Sequence, residues 1–277
     1  MSDNTSQDIR AWFHMKKQPF SSEISCKDLY LRENMEEVSN KIEFAVQNGF
    51  CFMLLGEVGA GKSSMLRYSV EALPKKLYQP ICITAGSWSF IELLRELLFA
   101  VGQPARTFSQ TIMIRSLAEC FKVYIDSNKT PVIIIDEASL LNKNVFSQIH
   151  ILQQLPGVDR VIPMIFCGQK ELYEKVMSNP YARPLADRVM EGYILKGMSQ
   201  QEVREYIQHH ISVAGGSAEI FEDQKVMQTI LLSSGGIPRH INSKCLLCLR
   251  QAMLAKRQMV TSEDVMAVTQ SMNKWSS

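Results

Sequence analysis

The segment best equipped for chemistry is Gly56-Glu-Val-Gly-Ala-Gly-Lys62-Ser63, which matches the pattern G-x-x-x-x-G-K-[ST]. Glycines in this pattern let backbone N–H groups converge on phosphate oxygens, and the following helix directs the positive end of its dipole toward them. Lys62 is suited to contact the β- and γ-phosphates of ATP, and the Ser63 hydroxyl is suited to hold Mg²⁺. Because an apolar strand pattern precedes the segment and a helical pattern follows it, we expect a phosphate-binding loop rather than a simple glycine-rich turn.

A second candidate site follows the apolar run at residues 132–135, which ends in Asp136 and Glu137. An unbroken apolar run is typical of a buried parallel strand, so both carboxylates should lie at its carboxyl end. Asp136 is placed to orient Mg²⁺ next to Ser63, and Glu137 to activate or position the attacking water. An Asp-Glu pair can also close a strand as two solvated carboxylates. The phosphate loop upstream favours the catalytic interpretation, and the glutamate favours hydrolysis over nucleotide storage.

The elements that must position these residues alternate between short strands and longer helices, which predicts an α/β domain with a parallel sheet covered by helices. The predicted strands cover residues 50–55, 80–84, 132–135, 161–167 and 193–195. The predicted helices between them cover residues 63–73, 90–101, 109–128, 144–154 and 170–178. After Gly197 we predict only helices, over residues 199–214, 222–233, 238–256 and 262–272. The resulting domains are an N-terminal arm at 1–20, an ATP-binding α/β domain at 21–197 and a small all-helical lid domain at 198–277.

The composition is that of an ordinary globular protein, with 277 residues, 46% hydrophobic residues, 21% charged residues and a net charge of +2. Its polar N-terminus does not resemble a signal peptide, and its apolar runs are too short to span a membrane, so we expect a cytoplasmic protein. Seven unevenly spaced cysteines fit reduced thiols. Cys245 and Cys248 lie in a helical pattern, which favours a buried helix face over a metal site.

One predicted strand, at residues 80–84, separates the two motifs in sequence. This layout resembles the branch of P-loop ATPases that has a catalytic glutamate and contains the AAA+ proteins. In that branch a polar residue after the fourth strand faces the γ-phosphate, which implies Gln169, although Asn or Thr is the commoner choice. Gly236-Ile-Pro-Arg239 resembles the motif by which AAA+ lid domains place an arginine over the γ-phosphate. Alternatively, Pro238 is there because proline is common in the first turn of a helix. Gln169 is alternatively an ordinary turn residue.

The resemblance also implies an arginine that reaches the ATP site of a neighbouring subunit and stabilises charge in the transition state. The segment Asn179-Pro-Tyr-Ala-Arg183-Pro-Leu-Ala-Asp187-Arg188 supplies two candidates. Arg188 is the first choice and Arg183 the second, and a surface arginine is the alternative for either. The predicted catalytic residues are therefore Glu137, Lys62, Arg188 and Gln169. The predicted ATP-binding residues are Gly56, Glu57, Val58, Gly59, Ala60, Gly61, Lys62, Ser63, Ser64, Asp136 and Arg239, and the predicted metal ligands are Ser63 and Asp136.

Nearly the whole chain resembles the ExeA-type AAA+ ATPases. The matching segments are Gln18-Pro-Phe20, Leu29-Tyr-Leu31, the phosphate loop, Ile135-Asp-Glu-Ala138, Cys167-Gly-Gln169-Lys-Glu-Leu172 and Gly236-Ile-Pro-Arg239. These ATPases are similar to the transposition ATPases of the TniB, TnsC and MuB kind. The resemblance implies a five-stranded parallel sheet with a helical lid, and ATP bound between them and an adjacent protomer. Pro19-Phe20 and Tyr30-Leu31 would then lie near the adenine, or they are ordinary core residues.

Two main roles follow from this resemblance. In the first, the protein assembles as a ring or filament on double-stranded DNA without sequence preference and recruits or activates a transposase. In the second, it serves a secretion or pilus assembly system, for which a transmembrane helix and a wall-binding domain would be expected. We favour transposition because the sequence has neither. A nucleotide-dependent partner switch and a replication initiator are further alternatives. The candidate phosphate contacts on DNA are Arg95, Arg106, Thr107, Arg115 and Lys143, which on the alternative interpretation form a solvated face.

Overall fold

The computed structural model describes residues 8–21 and 25–273, and the chain divides into two compact units. The sheet unit contains Glu33–Val58 and Lys62–Leu195. The helical unit contains the described residues up to Arg32, Gly59–Gly61, and the described residues from Lys196 onward. Within the described part of the chain, no helix combines the length and the apolarity that crossing a bilayer requires.

The sheet unit is built on five parallel strands, as the sequence predicts. The strands are β1 (Cys51–Gly56), β2 (Tyr78–Thr84), β3 (Thr130–Asp136), β4 (Met164–Gly168) and β5 (Val189–Leu195), in the spatial order β2-β3-β4-β1-β5. β1 and β4 are buried along their whole length, which explains their unbroken apolar sequences. Strand β4 therefore lies between the strand that leads into the phosphate loop and the strand that ends in Asp136.

Helices connect these strands in the chain order that a parallel sheet requires. They are α2 (Met35–Gln47), α3 (Lys62–Ala72), α4 (Phe90–Ala100), α5 (Gln110–Asp126), α6 (Glu171–Met177) and α7 (Arg183–Ala186). Helix α4 begins with a reciprocal cap, in which Ser89 and Glu92 each accept a hydrogen bond from the other's backbone N–H. Its apolar face, including Leu93 and Leu97, is fully buried in the core of the unit.

The predicted helix at residues 144–154 is wrong. The chain instead forms two short 3₁₀ segments, Lys143–Val145 and Ile149–Gln153. The buried apolar side chains that follow one another here are Phe146, Ile149, Leu152 and Leu155. Their spacing is three residues, which matches the 3.0-residue turn of a 3₁₀ helix, in which side chains i and i+3 eclipse. An α-helix would rotate this row away from the core.

The helical unit contains α1 (Ile9–Trp12), α8 (Gln200–Ala214), α9 (Gln224–Ser234), α10 (Pro238–Leu254) and α11 (Ser262–Asn273). The last four are close to the predicted helices. Ser199 and Glu202 form a capping box at the start of α8. Cys245 and Cys248 are both fully buried in the core of this unit, on one face of α10.

The N-terminal segment also belongs to this unit, whereas the sequence analysis separates an arm at 1–20 and assigns residues 21–32 to the α/β domain. Residues 1–7 of that arm lie outside the described residues. Phe13, Met15 and Phe20 are buried in the helical core. Their apolar surface is thereby removed from water, whereas in a free arm it would stay exposed. Phe20 stacks on His210 with the ring centroids 5.3 Å apart, so it is a core residue of the helical unit.

Candidate active site

The strand register brings Asp136, Glu137 and Gln169 to one edge of the sheet, whereas Arg188 precedes β5 and lies at the start of β1, at the opposite edge. Leu55 of β1 pairs with Gly168 of β4, and Ile135 of β3 pairs with Phe166. Asp136, the last residue of β3, and Gln169, which follows β4, therefore lie at neighbouring carboxyl ends, where ligands bind in open parallel sheets. This closeness follows from the position of β4 between β1 and β3.

Lys62 is the first residue of α3, and its side chain is held inside its own loop. It is only 5% exposed, and its Nζ donates a hydrogen bond to the Glu57 carbonyl at 2.9 Å. Gly56 lies close by, and a Cβ there would come within 2.8 Å of the Leu195 carbonyl oxygen, so the close approach requires glycine. The Lys62 side chain therefore folds back over its own loop, in which phosphates would bind.

The two carboxylates at the end of β3 have different environments. Asp136 is half-buried, and its Oδ1 accepts a hydrogen bond from the Glu137 N–H at 2.8 Å. Glu137 has a left-handed backbone, with φ 52° and ψ 32°. This conformation is uncommon for a residue other than glycine, and such residues are concentrated at functional sites. The left-handed turn ends the strand and fixes the direction in which Glu137 leaves the sheet.

Cys167 is an additional neighbour of Asp136 that the sequence analysis did not identify as functional. Burial, then the negative charge of Asp136 and a hydrogen bond from the thiol to its carboxylate, raise the pKa of Cys167 well above its usual range. The thiol therefore stays protonated and helps to orient Asp136. Only the register of β3 against β4 brings the two together, and the sequence carries no signal for it.

Gln169 is held by a segment that the sequence analysis did not single out. Its backbone N–H donates to the Ser139 Oγ at 2.6 Å, and Lys175 donates through Nζ to the carbonyl oxygens of Ser139 and Leu141. Ser139 lies three residues after Asp136, so these bonds join the end of β4 to the turn after β3. The sequence around Ser139 carries no signal that points to this role.

A cavity of about 380 Å³ lies in the sheet unit between α3 and the carboxyl ends of β2 and β3. Ser63 and Asp136, the two predicted metal ligands, both line it, together with Arg67, Glu71 and Thr84. Their hydroxyl and carboxylate oxygens are the hard donors that Mg²⁺ prefers, and Mg²⁺ usually takes one or two protein oxygens while phosphates and waters complete its shell. Ser63 and Asp136 thus fit a magnesium ion.

The tip of the phosphate loop, Gly59–Gly61, packs within the helical unit. The Arg239 N–H donates to the Gly59 carbonyl at 3.2 Å. Gly59 has φ +80°, and a Cβ there would come within 2.6 Å of the Arg239 Cβ, so the contact requires glycine. The structure therefore brings Gly59 and the predicted Arg239 together, with the Arg239 side chain exposed.

The two candidate arginines before β5 differ in exposure. The Arg183 side chain is 81% exposed and forms a long ion pair with Asp187 at 3.9 Å. Arg188 is half-buried, and its Nη1 donates to the Oε1 of Gln153 at 3.3 Å. In this protomer Arg183 is thus open to solvent, while Arg188 is turned toward the core.

The candidate DNA contacts are mostly solvent-accessible. Arg95, Arg106, Arg115 and Lys143 are exposed. The Arg95 guanidinium lies over the Phe108 ring with Cζ 5.0 Å from the centroid, and Phe108 is 75% exposed. Thr107 instead accepts a hydrogen bond from the Ser109 N–H through Oγ1, so it orders the entry to α5.

Comparisons with known proteins find similarity in sequence and in fold. Residues 47–176 match the model of a family described as AAA domain. The chain is 30% identical over 241 residues to General secretion pathway protein A of Aeromonas hydrophila, covering 84% of this chain and 43% of that protein. It therefore spans less than half the length of this curated relative.

Solved structures of similar fold have much lower sequence identity. The ORC2 protein of Aeropyrum pernix, in its ADPNP-ADP complexes, superposes with a TM-score of 0.69 at 12% identity, over 91% of this chain and 70% of that chain. The ORC1 protein of Aeropyrum pernix in complex with DNA superposes with a TM-score of 0.65 at 12% identity, over 88% of this chain and 66% of that chain. Residues 47–176 thus match the AAA domain model, and the chain has the AAA+ fold of these solved structures.

Proposed function

We propose that this protein binds Mg-ATP and hydrolyses it to ADP and phosphate. The observation that supports the proposal is that Ser63 and Asp136 line one cavity, with Glu137 directly after Asp136 and Lys62 folded over its own loop. Within this proposal Lys62 neutralises phosphate charge, and Ser63 and Asp136 hold the magnesium ion, which would supply further charge neutralisation when bound. Glu137 positions and activates the attacking water.

Turnover depends, in this proposal, on a neighbouring copy of the chain that supplies an arginine before its β5. Arg188 is the first candidate and Arg183 the second. An experiment with mixed inactive variants separates them. Arg188→Ala protein and Glu137→Gln protein should each be inactive, and their mixture should recover activity because some interfaces combine an intact glutamate with an intact arginine. If only mixtures made with Arg183→Ala recover activity, the trans-acting residue is Arg183.

The biological role that we propose first is ATP-dependent assembly on double-stranded DNA, in the cytoplasm, to regulate or recruit a transposase. The exposed arginines at 95, 106 and 115 support contact with phosphates. A solved structure of similar fold, ORC1 of Aeropyrum pernix, is in complex with DNA. Contacts of this kind give affinity without sequence preference.

A second role, in a secretion system, is favoured by a different observation. The curated relative that matches 84% of this chain is named General secretion pathway protein A. In this alternative the same ATP chemistry drives a protein assembly and DNA plays no part. The two roles share the site and differ in whether nucleotide controls binding to DNA.

Fluorescence anisotropy of a labelled duplex, measured with a slowly hydrolysed ATP analogue, with ADP and without nucleotide, distinguishes the roles. The DNA role predicts cooperative binding only with the analogue, and an affinity that falls steeply with salt, by roughly 0.9 in the log–log slope for each phosphate neutralised. Arg115→Ala should lower that slope by roughly one unit if Arg115 contacts a phosphate. Equal or absent binding in all three states, with ATP hydrolysis intact, supports the secretion role instead.

A further inference from the structure

Gln153 is a polar residue placed where the core is otherwise apolar. It is fully buried, at 0% exposure, at the end of the 3₁₀ segment Ile149–Gln153 and directly after the buried Leu152. A buried amide needs partners for both its donor and its acceptor, because an unpaired one costs about 1–3 kcal/mol. The sequence gives it no role in ATP chemistry, so its partners indicate what it does.

Both ends of the Gln153 amide are used. Its Nε2 donates to the Cys51 Sγ at 3.0 Å, and its Oε1 accepts from the Arg188 Nη1 at 3.3 Å. Cys51 begins β1 and is itself fully buried, and its backbone N–H donates to the Arg188 carbonyl at 2.9 Å. Arg188 is therefore fixed to the start of β1 by its main chain and to Gln153 by its guanidinium.

This arrangement conflicts with a guanidinium that acts on a neighbour. An arginine that stabilises charge on another subunit's ATP must present its guanidinium outward. Here one of its N–H groups is committed to an oxygen inside the core. Arg183, five residues earlier, is exposed and has a 3.9 Å ion pair with Asp187. Of the two candidate arginines, Arg188 is therefore the one whose guanidinium is bound toward the core.

We propose that Gln153 is a positioning residue that retains the Arg188 guanidinium inside the free protomer, so that assembly must release it before it can act in trans. The proposal rests on the proposed function, in which Arg188 acts at the ATP site of a neighbouring subunit. In this proposal the segment that follows Glu137 helps to control ATP hydrolysis, because Gln153 lies at the end of that segment. The free protomer then hydrolyses ATP slowly for two reasons. It has no neighbouring subunit, and its own Arg188 guanidinium is bound to Gln153.

The matched pair Gln153→Met and Gln153→Glu tests the proposal. Methionine has a similar length, packs in an apolar site and is only a weak hydrogen-bond acceptor, so Arg188 should be released. Glutamate keeps the shape and adds a negative charge facing the guanidinium, so Arg188 should be retained more firmly. A thermal melt of both variants establishes that each is folded before any other measurement is interpreted.

The first measurement does not depend on turnover. The full-length protein is treated with phenylglyoxal, which modifies accessible guanidinium groups, and the rates at Arg188 and Arg183 are followed by peptide mass spectrometry. We expect Gln153→Met to raise the Arg188 rate by about tenfold and Gln153→Glu to lower it, since a hydrogen bond to a charged group contributes on that scale. The rate at Arg183, the internal reference, should stay the same. Equal Arg188 rates in all three proteins would overturn the retention.

The second measurement is ATP turnover as a function of protein concentration, with Arg188→Ala in parallel. Gln153→Met should reach half-maximal turnover at a severalfold lower concentration with the same maximum, and Gln153→Glu should need a higher concentration. A merely structural role would instead lower the maximum in both variants. If Arg188→Ala turns over normally, the trans role of Arg188 is wrong, while the phenylglyoxal result still decides whether Gln153 retains the side chain.

Discussion

Replacing Glu137 by alanine and by glycine should separate catalysis from stability at one position. Both variants remove the carboxylate, so both should bind ATP and fail to hydrolyse it. They differ only in the Cβ, and the backbone at this residue has φ 52°, in the left-handed region. For an L-residue that conformation costs about 1–2 kcal/mol, and glycine avoids the cost.

The expected magnitude follows from two opposing effects. Glycine relieves about 1–2 kcal/mol of backbone strain but loses about 0.5–1 kcal/mol through the greater freedom of the unfolded chain. Glu137→Gly should therefore unfold with a free energy about 0.5–1 kcal/mol higher than Glu137→Ala. This order is opposite to that in an ordinary helix or strand, where alanine is the more stable of the two.

Thermal melts and a phosphate-release assay, run on the two variants and on Glu137→Gln, check both parts. The Gly variant should melt roughly 2 °C above the Ala variant, with turnover near background in all three. A glycine variant less stable than the alanine variant would show that the backbone strain at Glu137 is smaller than the entropy cost of glycine, which would refute the estimate. Wild-type turnover in Glu137→Gln would show that another group positions the water.

Two further predictions concern charged and titratable side chains. Lys62→Ala should abolish binding of a fluorescent ATP analogue and lower the Tm of a protein that still folds, because a buried side chain and its bond to the Glu57 carbonyl are lost; unchanged affinity would contradict the phosphate-loop assignment. Burial, followed by the charge of His209, lowers the pKa of His210 from 6.5 to about 4. Since the unfolded chain takes up this proton first, the free energy of unfolding should fall by about 2 kcal/mol between pH 7 and pH 5. Urea titrations of the wild type and of His210→Gln test this, and an equally steep loss in the variant would assign it to other groups.

The sheet and the phosphate loop could be predicted because their residues signal locally. Apolar runs give β1 and β3, and the glycine spacing around Lys62 gives the loop. The helix predicted at 144–154 failed because its apolar residues repeat every three positions, a spacing close enough to 3.6 to be read as helical over such a short stretch. The Cys167–Asp136 contact could not be predicted, since it depends on the register between two strands. The position of Phe20 could not be predicted either, because the segment Pro19-Phe20 fits an adenine contact and a core position equally well.

The 3₁₀ geometry after β3 has a mechanical consequence of its own. A 3₁₀ segment rises about 2.0 Å per residue, against 1.5 Å for an α-helix, so it carries the chain farther per residue with fewer well-formed hydrogen bonds. The stretch from Glu137 to Gln153 contains three such segments and no α-helix. It is fixed near Glu137 by the bonds of Ser139 to Gln169 and Lys175, and at its far end by the bond of Gln153 to Arg188. The segment therefore connects the neighbourhood of Glu137 to Gln153 and Arg188 through contacts that all lie within the sheet unit.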